Sequence, residues 1–155
     1  MQWKRAKAAG FTNGVAWEPL QRDSLTANVE TEDVDQKSLL NTYRMLIHLR
    51  SANPAIGSGD FLALATGRDD VAAYLRRKGQ RSVIVIANLG KSAATGISLT
   101  PPQKALPVGS YAVKSLNSSG KAVLSVDPSG TISKLTPLLS LEPLSVLILE
   151  VSRRD

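Results

Sequence analysis

Only a few residue types in this chain could do chemistry. It has thirteen carboxylates, one histidine and no cysteine. Without cysteine there are no disulfide frameworks, thiolate metal sites or thiol catalysis. With His48 alone, a Ser-His-Asp triad lacks support and a multi-histidine metal centre is excluded. Six of the carboxylates fall in pairs: Glu30 with Glu32, Asp33 with Asp35, and Asp69 with Asp70. Two carboxylates flanking one sugar ring are the machinery of glycoside hydrolysis. The first two pairs sit just before or at the start of a helical pattern, where negative charge meets the helix dipole favourably. The third lies in a Gly-Arg-Asp-Asp turn. All three therefore read as structural. His48 lies at the edge of an apolar helical stripe and reads as a packed or solvent-facing side chain. No phosphate-binding glycine loop, GxSxG elbow or HExxH helix is present. No catalytic residue, no metal ligand and no cofactor is expected.

Three aromatic residues, Trp3, Phe11 and Trp17, are the remaining candidates. They stand among small and polar residues, and their flat faces could stack on a sugar or pin the segment to a neighbouring surface. The charge balance offers another route to function. Nineteen basic against thirteen acidic residues give a net charge of +6 and a pI near 9.8. The excess is scattered apart from Arg76-Arg77-Lys78 beside Arg81 and the terminal Arg153-Arg154, so it reads as a solvated surface, and no nucleic-acid partner is expected. No run approaches the ~20 apolar residues of a membrane span. The N-terminus lacks the apolar core of a signal peptide. A cytoplasmic location and no membrane partner follow as expectations.

These candidates must be positioned by the rest of the 155 residues, of which 43% are hydrophobic. That is enough for a core but short of the roughly 250 residues of a complete (β/α)8 barrel. Residues 1–34 show neither helical nor strand periodicity. A stretch that long and irregular normally lies against something larger. Residues 35–52 predict one helix, capped by Asp35, with Leu39, Leu40, Tyr43, Leu46 and Ile47 on one stripe. Pro54 ends it, and Gly57 and Gly59 mark a boundary. Eight short runs then follow: 60–66, 71–77, 82–89, 94–99, 110–116, 122–126, 131–135 and 144–151. Turn signals separate them, among them Gly67, Lys78-Gly79, Pro101-Pro102, Ser118-Ser119-Gly120 and Pro128-Ser129-Gly130. This spacing predicts a mainly β fold, an antiparallel Greek-key sandwich or barrel of about eight strands preceded by an irregular segment and one α-helix.

Met1-Gln2-Trp3, Ala9-Gly10-Phe11-Thr12, Gly14, Trp17-Glu18-Pro19 and Asn28-Val29-Glu30 occur in an order that resembles glycoside hydrolase family 13. The match is to its α-glucosidase and oligo-1,6-glucosidase branch. Residues 38–50 with Asn53-Pro54-Ala55 resemble the last helix of that family's catalytic barrel, and 70–76 with 83–89 the start of the β-domain behind it. The resemblance is dense over residues 1–90 and thin afterwards, except for the closing strand 144–150. It implies a barrel remnant over 1–56 and a β-sandwich, domain C, over 57–155. The family's three essential carboxylates lie upstream of the segment that Met1-Gln2-Trp3 resembles, so no catalytic role is carried over. Lys4, Arg5 and Ala8 depart from the family's pattern.

The resulting expectation is a non-catalytic carboxyl-terminal portion of an α-glucosidase-like hydrolase, with a structural β-domain. Its partner would be the missing barrel or a second copy of itself. The alternatives are a carbohydrate-binding module, stacking an α-glucan or oligosaccharide on Trp3, Phe11 or Trp17, and a self-associating interaction protein.

Overall fold

The computed structural model describes residues 2–102, 105–118, 121–136 and 140–154. The chain divides into two compact units, Met1–Arg50 and Ser51–Asp155.

In the first unit a 3₁₀ turn, Lys7–Gly10, and a short helix α1, Val29–Val34, interrupt the stretch expected to be irregular. Helix α1 is capped by Asn28, whose side-chain oxygen accepts from the Thr31 N–H at 2.9 Å. The longer helix α2 runs from Leu39 to Ala52, four residues shorter at its start than the expected 35–52. The Asp35 carboxylate folds instead onto the N–H of Lys37 at 2.9 Å, which spends it on a local turn. Ser38 takes over as the cap, its hydroxyl accepting from the Asn41 N–H at 3.1 Å. The Glu32 carboxylate accepts from the Leu40 N–H at 2.9 Å. Two first-turn donors are thereby satisfied, and a negative charge meets the positive end of the helix.

Helix α2 stops before Pro54 for the reason its sequence gives. A further short helix, α3 (Pro54–Ser58), was not expected there. Pro54 opens it with its preset φ, and the Asn53 side chain caps it through the Ala55 N–H at 3.0 Å. Gly59 closes it. A Cβ on Gly59 would stand 2.5 Å from the Ala55 carbonyl oxygen and 2.7 Å from that of Arg77, so only glycine lets α3 approach the sheet this closely.

The second unit is an antiparallel sheet of seven strands among the described residues: β1 (Asp60–Leu64), β2 (Val71–Lys78), β3 (Arg81–Asn88), β4 (Gly109–Ser115), β5 (Lys121–Val126), β6 (Ile132–Thr136) and β7 (Val146–Arg153). Their order is β1-β2-β3-β7-β4-β5-β6. The chain thus lays down two meanders and returns β7 between them. The fold is mainly β, as the turn spacing predicts. The fourth of the eight expected runs, Ala94–Leu99, does not form a strand. It makes isolated bridges instead, Ala94 to Leu141 and Leu99 to Ile132, with Ala65 bridging to Thr100 alongside. Leu99 and Thr100 thereby tie the chain just past β1 to β6 and draw the two edges of the sheet toward each other, as edge protection requires. The turn expected at Ser119-Gly120 lies outside the described residues.

Register explains the core. Leu75, Ile84 and Leu149 stand opposite one another across β2, β3 and β7, as do Ala73, Ile86 and Leu147 one step along. Side chains alternate faces along a strand, so these project inward, where Leu124, Val126, Tyr111 and Leu99 join them in one buried cluster. Strand β3 is buried on both faces, because Val83 and Val85 point the other way, on the face where α3 lies. Burying such a side chain stabilises by about 1.5–3 kcal/mol. Tyr111 keeps its hydroxyl satisfied by donating to the Pro107 carbonyl at 2.6 Å.

Candidate functional site

The residues singled out in the sequence concentrate in the first unit. Its organising segment is Gln2–Lys4. The N–H groups of Trp3 and Lys4 both donate to the Ala9 carbonyl, at 2.9 and 3.0 Å. The carbonyls of Gln2 and Trp3 accept from Val29 and Glu30, at 3.0 and 2.9 Å. Asn28, almost wholly buried, donates to the Ser24 carbonyl while capping α1. The three sequence fragments of the family pattern, around residues 2–3, 9–11 and 28–30, are therefore neighbours in space.

The turn between them is strained. Ala8 and Ala9 both occupy the left-handed region, with φ of 51° and 48°, and both are buried. Alanine in that region costs roughly 1–2 kcal/mol per residue, whereas asparagine visits it more readily. Replacing Ala8 by Asn should therefore stabilise the first unit by about 0.5–1 kcal/mol. A shift of the tryptophan-fluorescence unfolding midpoint to higher urea would register it.

The three aromatic candidates are all exposed: Trp3 by 46%, Phe11 by 62% and Trp17 by 87%. Phe11 and Trp17 line one cavity of about 240 Å³ together with Gln2, Glu18 and Gln21. Trp3 does not reach it. A second cavity, of about 310 Å³, is lined by Gln2, Asn28, Glu32, Leu39, Leu40 and Tyr43. Gln2 borders both. Its amide N–H donates to the Ala27 carbonyl at 2.6 Å, while its buried side-chain oxygen has no partner. The motif containing Gln2 was legible, but nothing local marked that side chain as the one shared by two cavities.

Each of the two cavities is lined by a single carboxylate, Glu18 in one and Glu32 in the other. Asp33 is bound by Arg44, and Asp35 and Glu32 cap backbone donors as described. Asp70 is gripped by Arg68 in a two-pronged contact, at 2.8 and 2.7 Å. This hydrogen bonding holds the Asp70 carboxyl below its ordinary pKa. His48 is exposed on α2. Among the described residues no three His, Cys, Asp or Glu side chains gather where a metal ion could bind, and no helix is long and apolar enough to cross a membrane.

Helix α2 is the other notable feature. It contributes no buried side chain. Leu39, Tyr43 and Ile47, one stripe at four-residue steps, are 67%, 60% and 59% exposed.

Residues 1–59 match the family described as α-amylase, catalytic domain. Over these residues the chain resembles the α-amylase family, glycoside hydrolase family 13. The chain is 36% identical over 89 residues to the glucan 1,6-α-glucosidase of Streptococcus pneumoniae serotype 4, covering 57% of this chain and 16% of that one. It is 32% identical over 94 residues to the probable oligo-1,6-glucosidase 2 of Bacillus subtilis, covering 61% and 17%. Among solved structures, the trehalulose synthase of Pseudomonas mesoacidophila MX-45 matches 97% of this chain and 24% of its own, with a TM-score of 0.69 and 26% identity. The trehalose-6-phosphate hydrolase of Bacillus licheniformis shares the fold, with a TM-score of 0.72 over 98% of this chain and 25% of that one, at 22% identity. The chain spans about a sixth of the length of the curated relatives it matches.

Proposed function

We propose that the chain corresponds to the carboxyl-terminal part of an α-glucosidase-like enzyme of glycoside hydrolase family 13. In this reading Met1–Arg50 completes a catalytic barrel whose body is supplied by further polypeptide. The sheet of Ser51–Asp155 is a Greek-key β-sandwich that stabilises the enzyme and takes no part in the chemistry. The strand order β7-β4-β5-β6 supports that description, since a returning fourth strand beside the first defines the motif.

One observation carries the proposal. Among the described residues, eleven of the sixteen large apolar side chains left exposed lie within the first fifty positions. They include Trp17, Val15, Leu39, Tyr43 and Ile47. A surface this apolar marks a face made to be covered. The relatives' catalytic-domain match over residues 1–59 supports a barrel as the cover.

Hydrolysis of a glycosidic bond requires an acid and a nucleophile or base on either side of the scissile bond. Here Glu32 is committed to the start of α2, Asp33 to Arg44 and Asp70 to Arg68, so one member of each pair is engaged. The isolated chain therefore releases no glucose from maltose or isomaltose. Purified chain incubated with either sugar, with glucose measured enzymatically, should match the protein-free blank. Release that grows linearly with chain concentration would contradict this.

A further inference from the structure

Two basic clusters far apart in sequence come to one end of the sheet in the fold. Strand β2 ends in Arg76-Arg77-Lys78, and Lys78 stands opposite Arg81 across the β2–β3 hairpin. Ser82 stands opposite Val151, which places the end of β7, Ser152–Arg154, beside that hairpin. Tyr111 of β4 lies opposite Arg153, and Arg154 donates its N–H to the Ser110 carbonyl at 3.0 Å. One end of the sheet thus carries Arg76, Arg77, Lys78, Arg81, Arg153 and Arg154.

Three of these cations are held by neutral oxygens only. Arg76 donates to the Ala55 carbonyl, Arg77 to that of Ala105 and Lys78 to the Ser58 hydroxyl. Among the described residues none of the six forms an ion pair, since the two ion pairs found join Arg44 to Asp33 and Arg68 to Asp70. Among the described residues three acidic ones lie at this end. Glu150 shares the cross-strand row of Arg76 through Val83. Asp60 faces Arg77 in register, and Asp127 spends its carboxylate on Ser129 and Thr131. The rim is an array of side chains, half of them anchored, with excess positive charge.

The opposite charge is equally concentrated. Asp23, Glu30, Glu32, Asp33 and Asp35 lie within thirteen residues around α1, with no basic residue between them. Glu30 and Asp35 are exposed, and each is held in place by one backbone N–H, of Arg5 and Lys37 respectively. A carboxylate so held keeps free lone pairs for a guanidinium and loses little entropy on pairing.

We propose that the basic rim of one copy docks on the acidic α1 surface of a second copy. The contact joins two different patches, so it is head-to-tail. It is independent of the α-glucosidase reading, which requires no self-association.

Sedimentation velocity on the purified chain tests this at about 10 mM and about 1 M salt, where the screening length falls from about 30 to about 3 Å. Concentration-dependent growth beyond the monomer is expected at low salt and its loss at high salt. A rim reversal, Arg81→Glu with Arg154→Glu, should weaken association about tenfold or more. A helix reversal, Glu30→Lys with Asp35→Lys, should do the same. A mixture of the two reversed proteins should associate again, because each then supplies the surface the other has inverted. Three outcomes would overturn the proposal. One is a monomer at low salt at every concentration. Another is association that both reversals leave unchanged, which would assign it to the apolar stripe of α2. The third is a monomer whose rim binds a single-stranded oligonucleotide, which would assign the rim to a polyanion.

Discussion

Replacing Asn88 with leucine should cost the β-sheet unit about 2–4 kcal/mol, a large share of the roughly 5–15 kcal/mol typical of a whole domain. Asn88 ends β3, is only 1% exposed, and its side chain makes four hydrogen bonds. The amide N–H groups donate to the carbonyls of Ser92, Leu141 and Glu142 at 2.9, 2.9 and 3.0 Å. The side-chain oxygen accepts from the Gly90 N–H at 2.9 Å. One side chain thus fastens the loop after β3 to the segment leading into β7. Leucine matches its volume but takes away the partners of the Ser92 carbonyl and the Gly90 N–H, each costing about 1–3 kcal/mol where water cannot reach, while the Leu141 and Glu142 carbonyls keep their bonds from the Ala94 N–H and the Ser145 hydroxyl. The neighbouring loop offers no room for rearrangement, because a Cβ at Gly90 would sit 2.8 Å from the Asp70 carboxylate and 3.1 Å from the Asn88 oxygen. Urea unfolding followed by circular dichroism reads the effect as a lowered midpoint with an unchanged slope. A loss below about 1 kcal/mol would show that the loops hold themselves.

The contrast between the two units explains what the sequence made legible. Strands β2, β3 and β7 were readable because burial on one or both faces writes itself as alternation or as a continuous apolar run, and Ser82–Leu89 is such a run. The meander β4–β6 followed from turn residues at regular spacing. Ala94–Leu99 carries the same local signal yet forms only single bridges, because its partners, Leu141 and Ile132, are set by the path of the whole chain. Helix α1 and the cap at Ser38 were missed for a related reason. Asp35 and Ser38 are both good caps, and the choice between them depends on where Asp35 and Glu32 find other donors. Likewise Ala8 and Ala9 give no hint of left-handed backbone, since alanine is a poor residue for it.

The candidate site was legible as a set of residue types and not as an arrangement. Trp3, Phe11 and Trp17 were visible as aromatics in an otherwise polar stretch. That Phe11 and Trp17 share a cavity which Trp3 does not reach is a property of the turn at Ala8–Gly10. The stripe on α2 was visible too, and periodicity correctly placed Leu39, Tyr43 and Ile47 on one face. Periodicity states that a face exists; it does not say what covers it. That cover is what the proposed enzyme context supplies.

The second large effect follows from this contrast and bears on the central claim, that the first fifty residues are a barrel element without the body that would bury them. Hydrogen exchange of the intact chain, resolved residue by residue, measures it directly. Opening free energies range from near zero for elements with few buried contacts to the full unfolding free energy for core strands. The amides of β3 and β7, which flank Ile84, Ile86 and Leu149, should exchange only through global unfolding. Those of α2 from Tyr43 to Arg50, on a helix with no buried side chain, should exchange faster by about three orders of magnitude or more, since each 1.4 kcal/mol of opening energy is a factor of ten. Protection in α2 equal to that in β3 would contradict the claim and establish the first unit as a domain that needs no partner.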